Sequence, residues 1–107
     1  MMDDKVKEMN RVLGKCVAVC NFCFDSCLRE ENVEMMKECI RLDKECAEIC
    51  ALTLSLVASG SDMAREALKL CAAICEKCGK ECGKHDNDHC RKCAQTCLAC
   101  AEACGNY

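Results

Sequence analysis

The chain lacks most of the side chains that usually fill a protein core. Its 107 residues include no proline and no tryptophan, and its aromatic residues are two phenylalanines and one tyrosine. Acidic and basic residues are interleaved and the formal net charge is −3, so no basic stripe suggests a nucleic-acid partner. No apolar run approaches the roughly 20 residues that cross a bilayer, so we expect no membrane partner. The interior must therefore be built from something other than ordinary core residues.

The amino-terminal segment MMDDKVKEMN is charged. It has no apolar stretch, no twin arginine and no cleavage site of the kind that directs secretion. Unless a leader has been removed, we expect a cytoplasmic protein, in a compartment that keeps thiols reduced. A framework of disulfides is disfavoured on that ground.

Cysteine is what the chain has in abundance, at 16 of its 107 positions. This content is far above the level that marks a disulfide or metal-binding scaffold. The cysteines are Cys16, Cys20, Cys23, Cys27, Cys39, Cys46, Cys50, Cys71, Cys75, Cys78, Cys82, Cys90, Cys93, Cys97, Cys100 and Cys104.

Three interruptions divide the chain into four predicted helices. The segments EN, SGSD and GKHDN carry residues that end one helix or begin the next. The predicted helices are at about 3–30, 33–58, 62–82 and 87–104, and nothing indicates a strand. Loops this short place neighbouring helices antiparallel. The sequence therefore predicts an all-α, up-down-up-down four-helix bundle that forms a single domain over residues 1–107.

Within each helix the cysteines recur every three or four residues, which places them on one face. The first and third helices share the spacing C-x3-C-x2-C-x3-C, in CVAVCNFCFDSC and CAAICEKCGKEC, and these thiols span roughly 60° of arc. The run CRKCAQTCLACAEAC of the fourth helix spans roughly 80°. A bundle usually places leucine at such positions, so the four stripes are predicted to form a cysteine-lined core.

Neither disulfides nor simple packing accounts well for this pattern. Side chains at i and i+4 have Cβ atoms about 5–6 Å apart, whereas a disulfide needs about 3.5–4.5 Å. Bridges between helices are still allowed by this argument, so a disulfide-stapled interaction bundle stays open as a structural alternative. A buried free cysteine packs like a small hydrophobe, but a core made largely of thiols would be underpacked when empty.

Metal binding accounts for the thiols better. Soft thiolates select Cu(I), zinc or iron–sulfur clusters. Zinc usually takes four ligands from C-x2-C knuckles on turns, and iron–sulfur clusters usually take cysteines from loops. Pairs on one helix suit an ion with near-linear coordination, and one Cu(I) per bridging thiolate leaves a neutral core, with a ceiling on the order of 16 ions per chain. These considerations favour many Cu(I) ions, with a zinc or general soft-metal thiolate buffer as the alternative.

The two ends of the predicted bundle differ. Aliphatic residues without cysteine begin the first helix, end the second and begin the third, so they meet at one end as a plug. The members of this plug are Val6, Met9, Val12, Leu13, Leu52, Leu54, Leu56, Val57, Met63, Ala67 and Leu68. At the opposite end thiols lie close to the rim, together with Met35, Met36, His85 and His89.

With these cysteine stripes and four helices of this length, the whole chain resembles the bacterial copper storage proteins, in particular their cytosolic branch. The resemblance implies a four-helix bundle whose core cysteines bind many Cu(I) ions, for storage or protection against copper toxicity, in a homotetramer. It also implies His or Met ligands at the open end, which here are His85, His89, Met35 and Met36. The second helix departs from the pattern, because Leu42 or Asp43 falls where the stripe would continue.

The residues at the open end have competing interpretations. His89, four residues before Cys93, suits an entrance ligand and a half-exposed surface histidine equally well. His85 lies in a loop, which favours a solvated imidazole. One of Met35 and Met36 is expected to point inward, with core packing slightly favoured over copper binding. No site combines an open coordination position with an acid or base, so we predict a store of Cu(I) rather than an enzyme.

Overall fold

The computed structural model describes residues 2–107, which form helices joined by short loops. The α-helices are Asp4–Leu28 (α1), Lys37–Ala58 (α2), Ala64–Cys82 (α3) and Asp88–Asn106 (α4). A short 3₁₀ helix, Val33–Met36, leads into α2, where the sequence predicted a single helix from residue 33. No strand occurs among the described residues. The predicted all-α fold is confirmed.

The four helices surround one core. α1 packs against α2 and α4, and α3 packs against the same two helices. The molecule measures 46 × 20 × 18 Å, so it is elongated along the helix axes. The antiparallel up-down-up-down bundle predicted from the short loops is confirmed. We call the end with the α1–α2 and α3–α4 loops the mouth, and the end with the α2–α3 loop the plug end. Among residues 2–107, no helix combines the length and the apolar character needed to span a membrane.

The reversal between α2 and α3 depends on one glycine. Gly60 has a φ of 67°, in the left-handed region that costs glycine little. Its N–H donates to the carbonyl of Val57, and the N–H of Ser61 donates to the carbonyl of Leu56. This pair of bonds satisfies carbonyls that would otherwise be left free at the end of α2. The chain therefore turns sharply here and starts α3 antiparallel to α2.

The core consists mainly of thiols. All sixteen cysteines are buried, and Cys104 is the only one with measurable exposure, at 5%. The cysteine-lined core that the stripes predicted is therefore confirmed. Beside the cysteines, two polar side chains are also buried, Asp43 and Thr53, both on α2.

The aliphatic plug is smaller than the sequence suggested. Its buried members are Met9, Leu13, Val57, Ala67 and Leu68. Leu52 and Met63 are instead 53% and 55% exposed, so their predicted place in the plug is wrong. Leu52 follows Cys50 by two residues, which at about 100° per residue places it on the outer side of α2. Met63 lies in the turn before α3.

Gly79 allows α3 and α4 to approach each other closely. A Cβ atom at this position would lie 2.7 Å from Cγ of Leu98 and 3.3 Å from the carbonyl oxygen of Ala94, both on α4. Gly14 on α1 has no such role, because a Cβ there would be 3.7 Å from its nearest neighbour, an ordinary contact. Close packing of α3 on α4 draws the cysteines of the two helices together.

Candidate metal centre

The core sulfurs form a continuous column between the mouth and the plug end, which we call the thiol column. All sixteen cysteines are free thiols. Neighbours one turn apart on a helix are in contact, with Sγ–Sγ distances of 3.9 Å for Cys16–Cys20 and 3.8 Å for Cys71–Cys75. Sulfurs from facing helices come equally close, as in Cys46–Cys75 at 3.4 Å. Thiols such as Cys16 and Cys75 therefore have sulfur neighbours both along their own helix and across the bundle.

Groups of four thiols overlap along the column. In each of five such groups, all four sulfurs lie within 4.8 Å of one another. The groups are Cys16–Cys46–Cys50–Cys75, Cys16–Cys20–Cys46–Cys97, Cys20–Cys78–Cys93–Cys97, Cys23–Cys27–Cys39–Cys90 and Cys50–Cys71–Cys75–Cys100. Cys16 and Cys46, for example, belong to two of them. Shared sulfurs are what bridging between neighbouring soft metal ions requires.

The spacing of the sulfurs suits coordination by pairs. Two metal–sulfur bonds laid end to end span roughly 4.6 Å. Contacts such as Cys93–Cys97 at 3.7 Å are shorter than that span. Each sulfur would have to move by about half an ångström to hold a linear ion, and bent or bridging arrangements would need less. The column is therefore close to a metal-binding geometry without any change in the backbone.

Burial keeps the metal-free thiols neutral. Removal from water raises the pKa of Cys90 to about 12, and it also raises the pKa of Cys27 above the ordinary range. Both cysteines lie at the mouth, where the column begins. A buried thiolate is costly unless a cation neutralises it, so a thiol here loses its proton when a metal ion takes the proton's place.

Asp43 fills the gap in the second stripe. It occupies the second place in the spacing Cys39, Asp43, Cys46, Cys50, which repeats the 4-3-4 spacing of the other helices. Its side chain is fully buried. The neighbouring residue Leu42 is buried as well, but the stripe continues through Asp43.

The carboxyl group of Asp43 lies among four thiols. Its Oδ1 accepts from the Sγ atoms of Cys78, Cys93 and Cys82 at 3.2, 3.2 and 3.4 Å, and its Oδ2 from Cys39 at 3.8 Å. Burial, helped by the nearby Cys93 and Cys39, raises the pKa of Asp43 to about 8. The sequence marked this residue as an interruption, although its place in the 4-3-4 spacing was the signal that it belongs to the column.

His89 lies at the inner edge of the mouth. Its Nδ1 is 3.4 Å from Sγ of Cys23, 3.5 Å from Sγ of Cys90 and 4.0 Å from Sγ of Cys27. The side chain is 11% exposed, and its Nε2 is 2.7 Å from Oε2 of Glu30. Of the two interpretations of His89, the geometry favours a group that faces the thiols over a half-exposed surface histidine.

His85, Met35 and Met36, the other residues predicted at the mouth, have no described hydrogen bond with a thiol. The expected solvated imidazole of His85 is wrong, because its side chain is 13% exposed and its Nε2 is 3.2 Å from Oε2 of Glu81. Met36 is the methionine that points inward, at 4% exposure, as the sequence predicted for one of the pair. Met35 is 69% exposed on the 3₁₀ helix and has no described contact with a thiol, so its role as an entrance ligand stays a prediction.

A cavity covers the mouth, and a groove reaches the other end of the column. The cavity has a volume of about 450 Å³, and its lining includes Glu30, Met36 and His85. The groove, of about 700 Å³, lies at the plug end and reaches Cys104 beside Tyr107. The plug end is therefore not completely sealed, although the sequence predicted a closed end there.

Comparisons with known proteins agree with this arrangement. The family model described as copper storage protein matches residues 2–107. The uncharacterized cysteine-rich protein YhjQ of Bacillus subtilis is 52% identical over 89 residues, which are 83% of this chain and 82% of that protein.

Two solved structures share the fold closely. The Cu(I)-bound copper storage protein BsCsp3, the Csp3 of Bacillus subtilis, superposes with a TM-score of 0.92 at 45% identity, over 96% of this chain and 97% of that one. A cytosolic copper storage protein from Streptomyces lividans, in a structure with five coppers, superposes with a TM-score of 0.92 at 34% identity, over 96% of this chain and 91% of that one. With a family model that spans nearly its whole length and a thiol column in its core, the chain belongs to the copper storage protein family.

Proposed function

We propose that this chain stores Cu(I) in the cytoplasm, holds many ions on its sixteen core cysteines, and thereby protects the cell against copper toxicity. The observation that carries the proposal is the overlap of the four-thiol groups, which lets one sulfur serve two ions. The Cu(I)-bound and five-copper structures of relatives support the choice of metal. The role is storage and not catalysis, as expected for a member of this family.

Charge favours Cu(I) over zinc in this core. One Cu(I) per thiolate gives a neutral column, with a ceiling on the order of 16 ions per chain. A Zn²⁺ ion held by four thiolates leaves two negative charges at each site, which are costly in a core whose described residues include no buried cationic side chain. Zinc is nevertheless a second candidate, because each of the overlapping groups offers the four thiolates that a tetrahedral ion takes.

We propose all sixteen cysteines as ligands and His89 as the ligand at the entrance. The contacts of its Nδ1 with three thiols support this role. Met36 is a second candidate for a ligand near the entrance, because it has a soft thioether sulfur and is buried next to the cavity at the mouth. Ions would pass along the column by exchange between neighbouring thiolates, because contacts such as Cys20–Cys97 and Cys46–Cys75, both at 3.4 Å, are shorter than the span of two metal–sulfur bonds.

The finer parts of the proposal concern location and assembly. A cytoplasmic location is supported by the charged amino-terminal segment and by the relative described as cytosolic. We propose that residues 1–107 act as one storage domain and assemble as a homotetramer, as the family resemblance implies. Exposed apolar side chains such as Phe22, at 66%, and Leu70, at 53%, are consistent with contacts between copies.

An anaerobic titration of the reduced, metal-free protein with Cu(I) tests the proposed function. Binding is followed by thiolate-to-copper absorption, in competition with a Cu(I) chelator. We expect saturation well above four ions per chain, with tight retention. Saturation at a few ions, or zinc that copper fails to displace, would instead establish tetrahedral buffering sites. Denatured protein that is titrated in parallel shows how much of the binding depends on the folded column.

A further inference from the structure

A carboxylate from outside the column holds the histidine at the mouth. Glu30 follows the end of α1, and its Oε2 lies 2.7 Å from Nε2 of His89 on α4. The Glu30 side chain is 33% exposed and also lines the cavity over the mouth. The bond therefore joins two helix ends across the mouth, at the boundary between the cavity and the first thiols.

This bond determines which ring nitrogen of His89 carries the proton. An ionised carboxylate can only accept a hydrogen bond, so the Nε2 that faces Glu30 must be the protonated nitrogen. In a neutral imidazole the other nitrogen, Nδ1, then has a free lone pair. Nδ1 is also the nitrogen that faces the sulfurs of Cys23 and Cys90. The ligating atom thus points into the column, and the hydrogen-bond donor points away from it.

A second carboxylate–imidazole pair lies at the same end but lacks this arrangement. Nε2 of His85 is 3.2 Å from Oε2 of Glu81, one turn earlier in the chain. No thiol is among the described hydrogen-bond partners of His85. A carboxylate beside a histidine is therefore not sufficient to direct a ring nitrogen at the thiols. What distinguishes Glu30 is that the histidine it holds presents its opposite nitrogen to three thiols.

We propose that Glu30 is a positioning residue for metal capture, which fixes His89 in the Nε2–H tautomer so that Nδ1 is ready to receive an arriving Cu(I) ion. The inference rests on the proposed function. Groups that hold a metal-binding histidine from behind typically change affinity or activity by about 10–100-fold when they are removed. Because the side chain of Glu30 has no described hydrogen bond to a thiol, its replacement should affect the capture of the first ions and leave the final capacity unchanged.

The first test uses the metal-free protein and needs no copper. Long-range ¹H–¹⁵N correlation spectra of protein labelled at histidine report which ring nitrogen of His85 and His89 is protonated. We expect the Nε2–H tautomer for His89 in the wild type, a mixture of tautomers in E30A, and recovery of the wild-type pattern in E30Q, whose amide oxygen can still accept from Nε2–H. E81A is the matched control and should leave the His89 signals unchanged.

The second test measures how fast the first equivalent of Cu(I) leaves a chelator complex for the protein, by stopped-flow absorption. We expect E30A to be slower by about tenfold, with E30Q and E81A close to the wild type. H89A should be slow as well, and E30A should have no further effect in the H89A background. Saturation should stay the same in E30A, E30Q and E81A, which keep every proposed ligand.

Two results would overturn the role of Glu30. One is an unchanged His89 tautomer in E30A, and the other is a loss of rate in E30A that persists when His89 is already alanine. The storage proposal is tested separately, by the capacity of the wild-type protein. If the wild type bound only a few Cu(I) ions, that proposal would be wrong whatever the variants showed. The spectra of the metal-free protein would decide the role of Glu30 even then.

Discussion

Oδ1 of Asp43 lies 3.2 Å from Sγ of Cys93, with the carboxyl group of α2 pointing across the core to a thiol of α4. The same oxygen accepts from Cys78 and Cys82 on α3. One carboxyl group therefore connects three helices at a level where the other stripes supply cysteine. In the metal-free protein these bonds give hydrogen-bond partners to the thiols and to the buried carboxyl group. A buried polar group without such a partner would destabilise the fold.

The first prediction concerns the effect of pH on the metal-free protein. The pKa of Asp43 is about 8 in the folded state, against about 3.8 for an unperturbed aspartate. Between these values the folded state holds a proton that the unfolded state has lost, so a rise in pH favours unfolding. We expect the free energy of unfolding to fall by up to about 1.4 kcal/mol for each pH unit in that window.

D43N isolates this contribution, since asparagine keeps the shape and cannot ionise. Denaturant unfolding of both proteins under anaerobic, reducing conditions at pH 5 and pH 8 gives the comparison. The advantage of D43N over the wild type should grow with pH, whereas thiols that ionise on unfolding affect both proteins alike. A difference between the two that stays constant from pH 5 to pH 8 would show that the carboxyl group titrates normally.

The second prediction concerns the approach of α3 to α4. In G79A the added methyl group would lie 2.7 Å from Cγ of Leu98, so one helix must shift or the leucine must change its rotamer. We expect a loss of about 1–3 kcal/mol in the free energy of unfolding. G14A is the matched control, because its Cβ has room and alanine favours a helix by about 1 kcal/mol over glycine. Equal effects of the two substitutions on the denaturation midpoint would contradict the close approach.

The spacing of the cysteines was enough to predict the fold and the column. A thiol at every third or fourth position can share one face only in a helix, and four such faces with short loops leave an antiparallel bundle as the simple solution. The periodicity of a sequence gives the angular position of each side chain around the helix axis. For this reason every cysteine predicted to face inward is buried. The same argument left Leu42 and Asp43 as alternatives at the gap in the second stripe, and only the structure shows that the carboxyl group of Asp43 lies among the thiols.

What the sequence could not supply depends on contacts between segments that are distant in the chain. Glu30 and His89 are 59 residues apart, and only the meeting of the two loops at the mouth joins them. Met35 and Met36 could not be told apart, because the 3₁₀ helix changes the angular spacing just before α2. His85 was expected in solvent because it lies in a loop, but its ring contacts Glu81, one turn earlier, and its side chain is only 13% exposed.

The third prediction separates the stability of the fold from its capacity for metal. Leu13 is fully buried in the plug. L13A should lower the free energy of unfolding of the metal-free protein by about 2–5 kcal/mol, through lost apolar contact and the cavity that is left. The number of Cu(I) ions bound at saturation should not change, because no thiol is removed. A fall in that number while the protein stays helical by circular dichroism would mean that the plug also shapes the column.

The fourth prediction concerns the order in which the thiols react. Cys104 is 5% exposed at the groove of the plug end, whereas the cysteines at the mouth are covered by His89 and its neighbours. In the native, metal-free protein we expect iodoacetamide to modify Cys104 first, because the reagent must reach a sulfur before it can react and Cys104 is the cysteine with measurable exposure. Peptide mapping by mass spectrometry after short exposures gives the order.

The control for this prediction is C104S, in which the fast phase of alkylation should disappear while the slow phase keeps its rate. Loading the protein with Cu(I) should protect Cys104 as well, if the column is occupied along its whole length. Earlier modification of Cys27 or Cys90 would mean that the mouth opens more readily than the groove. The mouth beside His89, and not the groove at the plug end, would then be the readier route by which small molecules reach the column.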